Sequence, residues 1–303
     1  MSYHRAMPSR VWAAALLSAH LALGLWAALS NSPTFDEPAL AASGFLRWKA
    51  GERLETRNPP LTEWLSGAAL AATGIDAPDT PERRAGMPYQ YGERLLFWSG
   101  HDAQRLILAA RLPTVLLSTL FALALWRRLR SLPALGLYAL SPAVLAHASL
   151  ATNDLSVSVA AAWATLSFVE FLEAPSPRKG LETAGAALWS VLSKFSGLLF
   201  WPVAAGLLLA RGRARVKPAL LWIALPFAAA LGIVAMIEPE LLAAFSDRAT
   251  QVSSGSHPAY LLGSISETGF RLYYAVAVLV LSPPAELFVL VAAALALPRR
   301  REP

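Results

Sequence analysis

Six apolar runs recur along this chain, at residues 11–29, 106–126, 132–151, 155–172, 218–237 and 272–297. At about 1.5 Å of rise per residue, a helix of roughly 20 apolar residues crosses a hydrocarbon core of about 30 Å. Lipid offers no partner for backbone N–H and C=O groups, so a crossing segment must satisfy them within itself, as a helix does. The runs therefore predict an all-α polytopic membrane protein. Of the 303 residues, 15% are charged and 55% hydrophobic, against about 25% charged in a soluble domain. That deficit extends along the whole chain, so 1–303 reads as a single transmembrane unit rather than a soluble domain on an anchor. The first run follows Arg5 and Arg10. It is longer than the roughly 7–15 apolar residues of a signal peptide and reads as a retained span.

Basic clusters set the expected topology, because short cytoplasmic loops carry an excess of Lys and Arg. "HRAMPSR", "RRLR", "PRKG", "RGRARVK" and "PRRREP" hold 14 of the chain's 26 Lys and Arg residues. Placing all five on one side makes 181–210 a hairpin that turns near Lys194. About eight crossings follow, with both termini cytoplasmic in the plasma (inner) membrane. The extracytoplasmic face then carries a long loop, 30–105, a second loop, 238–271, and the turns at Asn153–Asp154 and Lys194. The net charge of +6 is spent on these loops, so no nucleic-acid partner is expected.

Two stretches of the long loop, "EPALAASGFLRWKAG" and "PPLTEWLSGAALAATG", have apolar residues at helical spacing and end in Gly. They read as two interfacial helices with Trp48 and Trp64 at headgroup level. The remainder, 75–102, reads as loop. There is no cysteine, and the five histidines are scattered, so a metal site would be built from carboxylates.

Under this topology several polar residues share one membrane depth: Asp36 and Glu37, Arg57 and Asn58, Arg111, Asn153 and Asp154, and Lys194. Ionisable groups at such depth are costly unless they pair or line a cavity. Each also has a plain structural reading. Asp36-Glu37-Pro38 suits a helix start, Arg111 can snorkel, and Asn153-Asp154 suits a turn. Lys194, flanked by Leu192, Phe195 and Leu198, fits the structural reading least well. Glu170 and Glu286 read as structural.

The order of the motifs resembles the C-type glycosyltransferases (GT-C fold), in particular the protein mannosyltransferases and the lipid A aminoarabinose transferases. The similar segments are "FDEPALAASGFLRW", "RNPPLTEWLSG", "ARLPTVLLSTLFALALW", "LSPAVLAHASLATNDLSVSVAAAW", "LSKFSGLLFWPV" and "GSHPAYLLGSISETGFRLYY". They run in order over most of 34–274. The resemblance implies transfer of a sugar from a polyprenyl-phosphate carrier to a glycan, lipid or protein acceptor at the extracytoplasmic face, with inversion. It implies Asp36 as base or acceptor-orienting group, with Glu37 beside it. Asp154 would be a second acid or, with Asp36, part of a divalent-metal site of the kind some relatives use. Arg111, Lys194 and Arg57 would hold the donor phosphate. Asn58, Asn153, His257 and Tyr273 would contact substrate. Asn58 stands where that family shows His or Lys, and Ser282 in "LSPPAEL" stands in place of a cation. Family members usually continue with further spans beyond the point where this chain ends in "PRRREP", which raises the expectation of a partner subunit. Two other readings are a non-catalytic assembly subunit and a transporter or flippase for a lipid-linked sugar, the latter disfavoured by the lack of an internal repeat.

Overall fold

The computed structural model describes residues 3–253 and 258–296. It is mostly helical. Helix α1 spans Tyr3–Ser30, α2 Asp36–Ala50, α3 Leu61–Ala71, α4 Pro81–Arg84, α5 Pro88–Phe97 and α6 Ala103–Leu129. Then follow α7 (Leu132–Ala139), α8 (Pro142–Ala148), α9 (Asn153–Glu173), α10 (Pro177–Ser193) and α11 (Phe200–Arg211). Helices α12 (Val216–Ala219) and α13 (Leu225–Ile237) are joined by a π-helical turn, and α14 (Glu240–Ser253), α15 (Tyr273–Leu281) and α16 (Pro284–Ala296) complete the helices. The only sheet among the described residues is a hairpin of β1 (Ala259–Leu261) and β2 (Ser264–Ser266).

Among the described residues, four helices are long and apolar enough to cross a membrane: Ser9–Ser30, Ala103–Leu129, Asn153–Glu173 and Val216–Ile237. Two expected spans are not single helices. The run at 132–151 breaks into α7 and α8 at Leu140–Ser141, where Pro142 has no N–H to continue a helix and Ser141 caps the Val144 amide. The run at 272–297 breaks at Ser282–Pro283, and its two helices bend by 118°; consecutive prolines force that corner. In the expected hairpin at 181–210 the helix does end where anticipated. Helix α10 stops at Ser193, Lys194 is extended, and a 3₁₀ turn (Phe195–Leu199) leads into α11.

Side-chain hydrogen bonds hold the long helices in register. His20 on α1 bonds the Ser118 hydroxyl of α6 at 2.8 Å and the Ala139 carbonyl of α7 at 2.9 Å. Helices α9 and α10 are antiparallel, joined by only Ala174–Ser176. At one end Ser156 and Ser193 hydroxyls lie 2.8 Å apart. At the other, Arg128 of α6 bonds Glu170 and Glu182, with its guanidinium 4.4 Å over the Trp163 ring. Glu170 is thus a structural partner.

The segment between α1 and α6 folds into a compact cap. Helices α2 and α3 cross backbone to backbone at Gly44 and Gly67. A Cβ at Gly44 would fall 1.9 Å from the Glu63 carbonyl oxygen, so only glycine permits the approach. Helix α5 crosses the start of α2 in the same way, where a Cβ on Gly92 would lie 2.2 Å from the Pro38 carbonyl oxygen. Both expected interfacial helices exist, but α2 is buried from Ala39 to Leu46 rather than lying with one face toward lipid. The stretch 75–102 is not plain loop: it contributes α4 and α5, and Tyr91, Leu95 and Leu96 of α5 join Phe45, Leu46 and Leu70 in the cap's core. Short helices with few apolar positions give too weak a periodicity to read before their packing partners are known.

Candidate functional site

Three parts of the fold, the α9–α10 pair, α2 and α14, meet at one cavity. Antiparallel packing of α9 and α10 brings the N-terminus of α9 beside the C-terminus of α10, so Asp154 Oδ1 lies 2.5 Å from Lys194 Nζ. Helix α2 starts at the same place because Glu37 accepts the Ala151 amide, just ahead of α9, at 2.8 Å. The third contributor is α14, whose position is set by Glu238. That buried carboxylate bonds Arg47 of α2 at 2.5 Å and lies 4.0 Å from Arg53, and α14 then carries Arg248 to the site.

These elements enclose a cavity of about 150 Å³. Its polar lining is Asp36, Glu55, Asn58, Thr152, Asn153 and Asp154, with Tyr89, Lys194 and Arg248. Five residues singled out in the sequence, Asp36, Asn58, Asn153, Asp154 and Lys194, are therefore brought together. A second, larger cavity of about 840 Å³ shares Asn58, Lys194 and Arg248 with the first, and is otherwise walled mainly by Phe195, Leu198, Leu199 and Phe245. Charged and apolar compartments thus meet at two cations.

Glu37 and Arg111 do not line either cavity. Arg111 spends all five of its N–H donors inside the protein. It reaches Glu37 Oε1 at 2.7 Å and Oε2 at 2.8 Å, and the carbonyls of Ala28, Asn31 and Ser32 at 2.8, 2.8 and 3.1 Å. Its side chain is 0% exposed and that of Glu37 3%. The structure therefore corrects both expectations: Arg111 has no donor left for a phosphate, and Glu37 has no room for a substrate. Instead they tie the end of α1, the start of α2, α6 and the α8–α9 junction into one unit. Burial raises the Glu37 carboxyl, but hydrogen bonds from Arg111, Ala151 and Thr34 outweigh it and hold the group below its usual range.

The Asp154–Lys194 pair differs in the property that decides its use. Its side chains are 41% and 44% exposed. Such pairs contribute about 0–1 kcal/mol, whereas breaking a buried one costs about 3–5 kcal/mol. Lys194 can exchange Asp154 for a ligand at little expense; Arg111 cannot exchange Glu37. Asp154 Oδ2 also lies 3.9 Å from His147 Nδ1.

Asp36 is exposed, opens α2, and accepts a 3.4 Å hydrogen bond from the Tyr89 hydroxyl. Burial, then the charges of Asp36 and Glu55, push the Tyr89 phenol above its ordinary value, so it stays a donor. Phe35 stacks on the Tyr89 ring at 4.7 Å. Arg57 is exposed and outside the lining of both cavities, its amide donating to Glu55 Oε1. Tyr273 opens α15, lines neither cavity, and packs on Tyr274 at 5.4 Å. His257 lies outside the described residues. Among the described residues no group of three or more His, Cys, Asp or Glu side chains is arranged to hold a metal ion, although Asp36 and Asp154 face one cavity.

Sequence reasoning missed Glu55, Tyr89, Thr152 and Arg248. Arg248 sits in "LLAAFSDRAT", whose apolar spacing marks an amphipathic helix in the loop 238–271 and was the one available signal. No protein-family model, curated protein or solved structure matches the chain.

Proposed function

We propose that the protein is a membrane glycosyltransferase of GT-C-like architecture, moving a sugar from a polyprenyl-phosphate carrier to an acceptor with inversion. The observation that carries the reading is the junction of the two cavities. A lipid phosphate needs cations beside an apolar channel, and Lys194 and Arg248 stand where the polar cavity meets the apolar one. The basic clusters support a plasma-membrane topology with cytoplasmic termini and the site on the extracytoplasmic side. In that arrangement of about eight crossings, α7–α8 and α15–α16 are broken segments.

In the proposed step, an acceptor hydroxyl oxygen attacks the anomeric carbon from the face opposite the carrier. The bond from that carbon to the phosphate oxygen breaks, and the electron pair leaves with the phosphate. Lys194 and Arg248 stabilise the charge on the departing phosphate. Asp36 takes the hydroxyl proton as the oxocarbenium-like centre forms. Tyr89 holds the Asp36 carboxylate in place. The acceptor is a glycan, lipid or protein.

The test supplies purified protein with a radiolabelled polyprenyl-phosphate sugar and follows release of free polyprenyl phosphate. Asp36→Asn is expected to bind carrier with unchanged affinity and to lose at least about 100-fold in turnover, the range of a general base. Absence of any release across acceptor extracts from envelope, lipid and protein fractions would falsify the enzyme reading.

A further inference from the structure

The long helices carry a second polar pocket, of about 440 Å³, at the end opposite the candidate site. Glu170 in that pocket and Asp154 in the candidate site lie on the same helix, α9, about 24 Å apart by helical rise. With α6 and α9 as membrane spans, that separation puts the pocket at headgroup level on the far side of a hydrocarbon core about 30 Å thick. Its charged lining is Arg127 and Arg128 of α6, Glu170 of α9 and Glu182 of α10. Arg128 is held in place: it donates to Glu170 Oε1 at 2.8 Å, to Glu182 Oε1 at 3.0 Å and to the Ser167 hydroxyl at 3.2 Å. Arg127 is exposed and makes no hydrogen bond or ion pair among the described residues. Glu182 Oε2 has no hydrogen-bond partner there either, whereas Lys179 Nζ stands 4.0 Å from Glu170 Oε2. One cation and one carboxylate oxygen thus remain open on the same pocket.

The lining also changes character along the helix axes. Leu120 and Leu123 line the pocket about one to two turns nearer the middle of α6 than Arg127, and Trp163 lies about two turns nearer the middle of α9 than Glu170. Leu120 is 61% exposed, on a surface that meets acyl chains when α6 spans a bilayer. Charge at the helix ends with apolar surface deeper is the order of a phospholipid's headgroup and chains. Two arginines and two glutamates leave the lining without net charge, so a zwitterion complements it better than an anion does. A primary ammonium brings N–H donors to the open Glu182 oxygen, whereas a trimethylammonium brings none. We propose that this pocket binds a phospholipid whose headgroup joins a phosphate to a primary ammonium, as in phosphatidylethanolamine. Arg127 takes the phosphate and Glu182 the ammonium, both through charge-assisted hydrogen bonds, and the chains run along Leu120 and Leu123. The assignment rests on α6 and α9 crossing the membrane and is independent of the glycosyltransferase reading.

The test titrates lipid-stripped protein in detergent with phosphatidylethanolamine, phosphatidylcholine and phosphatidylglycerol of identical acyl chains, and counts bound lipid by native mass spectrometry. The water-soluble headgroup, glycerophosphoethanolamine, is the fourth probe. Wild-type protein is expected to bind phosphatidylethanolamine at least about tenfold tighter than either other lipid, the worth of one hydrogen bond between charged groups. The soluble headgroup should bind far more weakly, since it has no chains to bury. Glu182→Gln keeps a carbonyl oxygen for Arg128 and Ser167, and is expected to remove the phosphatidylethanolamine preference while leaving phosphatidylcholine affinity unchanged. Arg127→Gln is expected to weaken both of these lipids about tenfold. Arg127 has no internal partner to lose, so this variant keeps its melting temperature and decides the question even should Glu182→Gln unfold. Equal binding of phosphatidylethanolamine and phosphatidylcholine by wild type, or tighter binding of phosphatidylglycerol, overturns the assignment. So does unchanged lipid affinity in Arg127→Gln, a preference retained in folded Glu182→Gln, or soluble headgroup bound as tightly as the lipid.

Discussion

The guanidinium of Arg111 and the carboxylate of Glu37 form a two-point pair, at 2.7 and 2.8 Å, sealed from solvent where α1, α2, α6 and the α8–α9 junction meet. Its place in the fold explains why Asp36, the very next residue along the chain, projects into the cavity. Glu37 fixes the first turn of α2 against Ala151, and Asp36 is carried with it toward Asp154. A structural acid and a candidate catalytic acid are thus adjacent in sequence and opposite in role.

Removing one member of that pair leaves a buried charge without its partner, so Arg111→Met and Glu37→Gln are each expected to destabilise the protein by about 3–5 kcal/mol. The pH dependence follows from the depressed Glu37 carboxyl. A carboxyl held lower in the folded than in the unfolded state adds stability that is present above its unfolded value of about 4.5. That stability is lost as pH falls through the folded value. Melting temperatures in detergent from pH 7 downward should drop in wild type, and Glu37→Gln should start lower and change less over the same range.

Lys194→Met is expected to behave in the opposite way. The exposed pair with Asp154 contributes about 0–1 kcal/mol, so the melting temperature should hardly move. If the proposed function holds, loss of the charge-assisted contact it assigns to Lys194 should raise the donor KM about 10–100-fold. Steady-state kinetics beside a melting curve separates the two variants. Equal stability losses in Lys194→Met and Arg111→Met would remove the distinction drawn between the pairs.

Gly44→Ala inserts one methyl group where its carbon would meet the Glu63 carbonyl oxygen at 1.9 Å. Both neighbours are backbone and cannot rotate away, so α3 must move off α2. Overpacking of this kind costs about 1–3 kcal/mol or more. The displacement also disturbs the segment holding Glu55 and Asn58, since the Ser43 hydroxyl bonds both the Glu55 amide and the Glu63 carboxylate. Melting temperature and turnover should therefore fall together, whereas Gly51→Ala, with open space around its Cβ but a positive φ of 72°, should lower stability alone.

Much of the candidate site was legible because two simple constraints suggested it. Basic clusters set an expected side for the turns, and charged residues expected at membrane depth demand partners. Together they grouped Asp36, Asn58, Asn153, Asp154 and Lys194 before any contact was known, and the structure brings these five to one cavity. Glu55 was illegible because it sits in a short irregular stretch, "GERLETRN", with no periodicity. Glu37 and Arg111 were misread because both fit a site by type and depth, and only hydrogen-bond geometry reveals that each is already saturated.

The amino-acid sequence by itself determined that this chain is mostly helical, with apolar helices long enough to cross a membrane, since hydropathy and charge act locally along the chain. Tertiary structure decided which polar residues are available. The antiparallel pairing of α9 and α10 sets Asp154 against Lys194, the Gly44–Gly67 crossing folds Glu55 into the cavity wall, and the clip at Glu238 brings in Arg248. A side chain's capacity to act depends on how many of its hydrogen-bonding groups the fold leaves unspent, and that count exists only once distant segments have met.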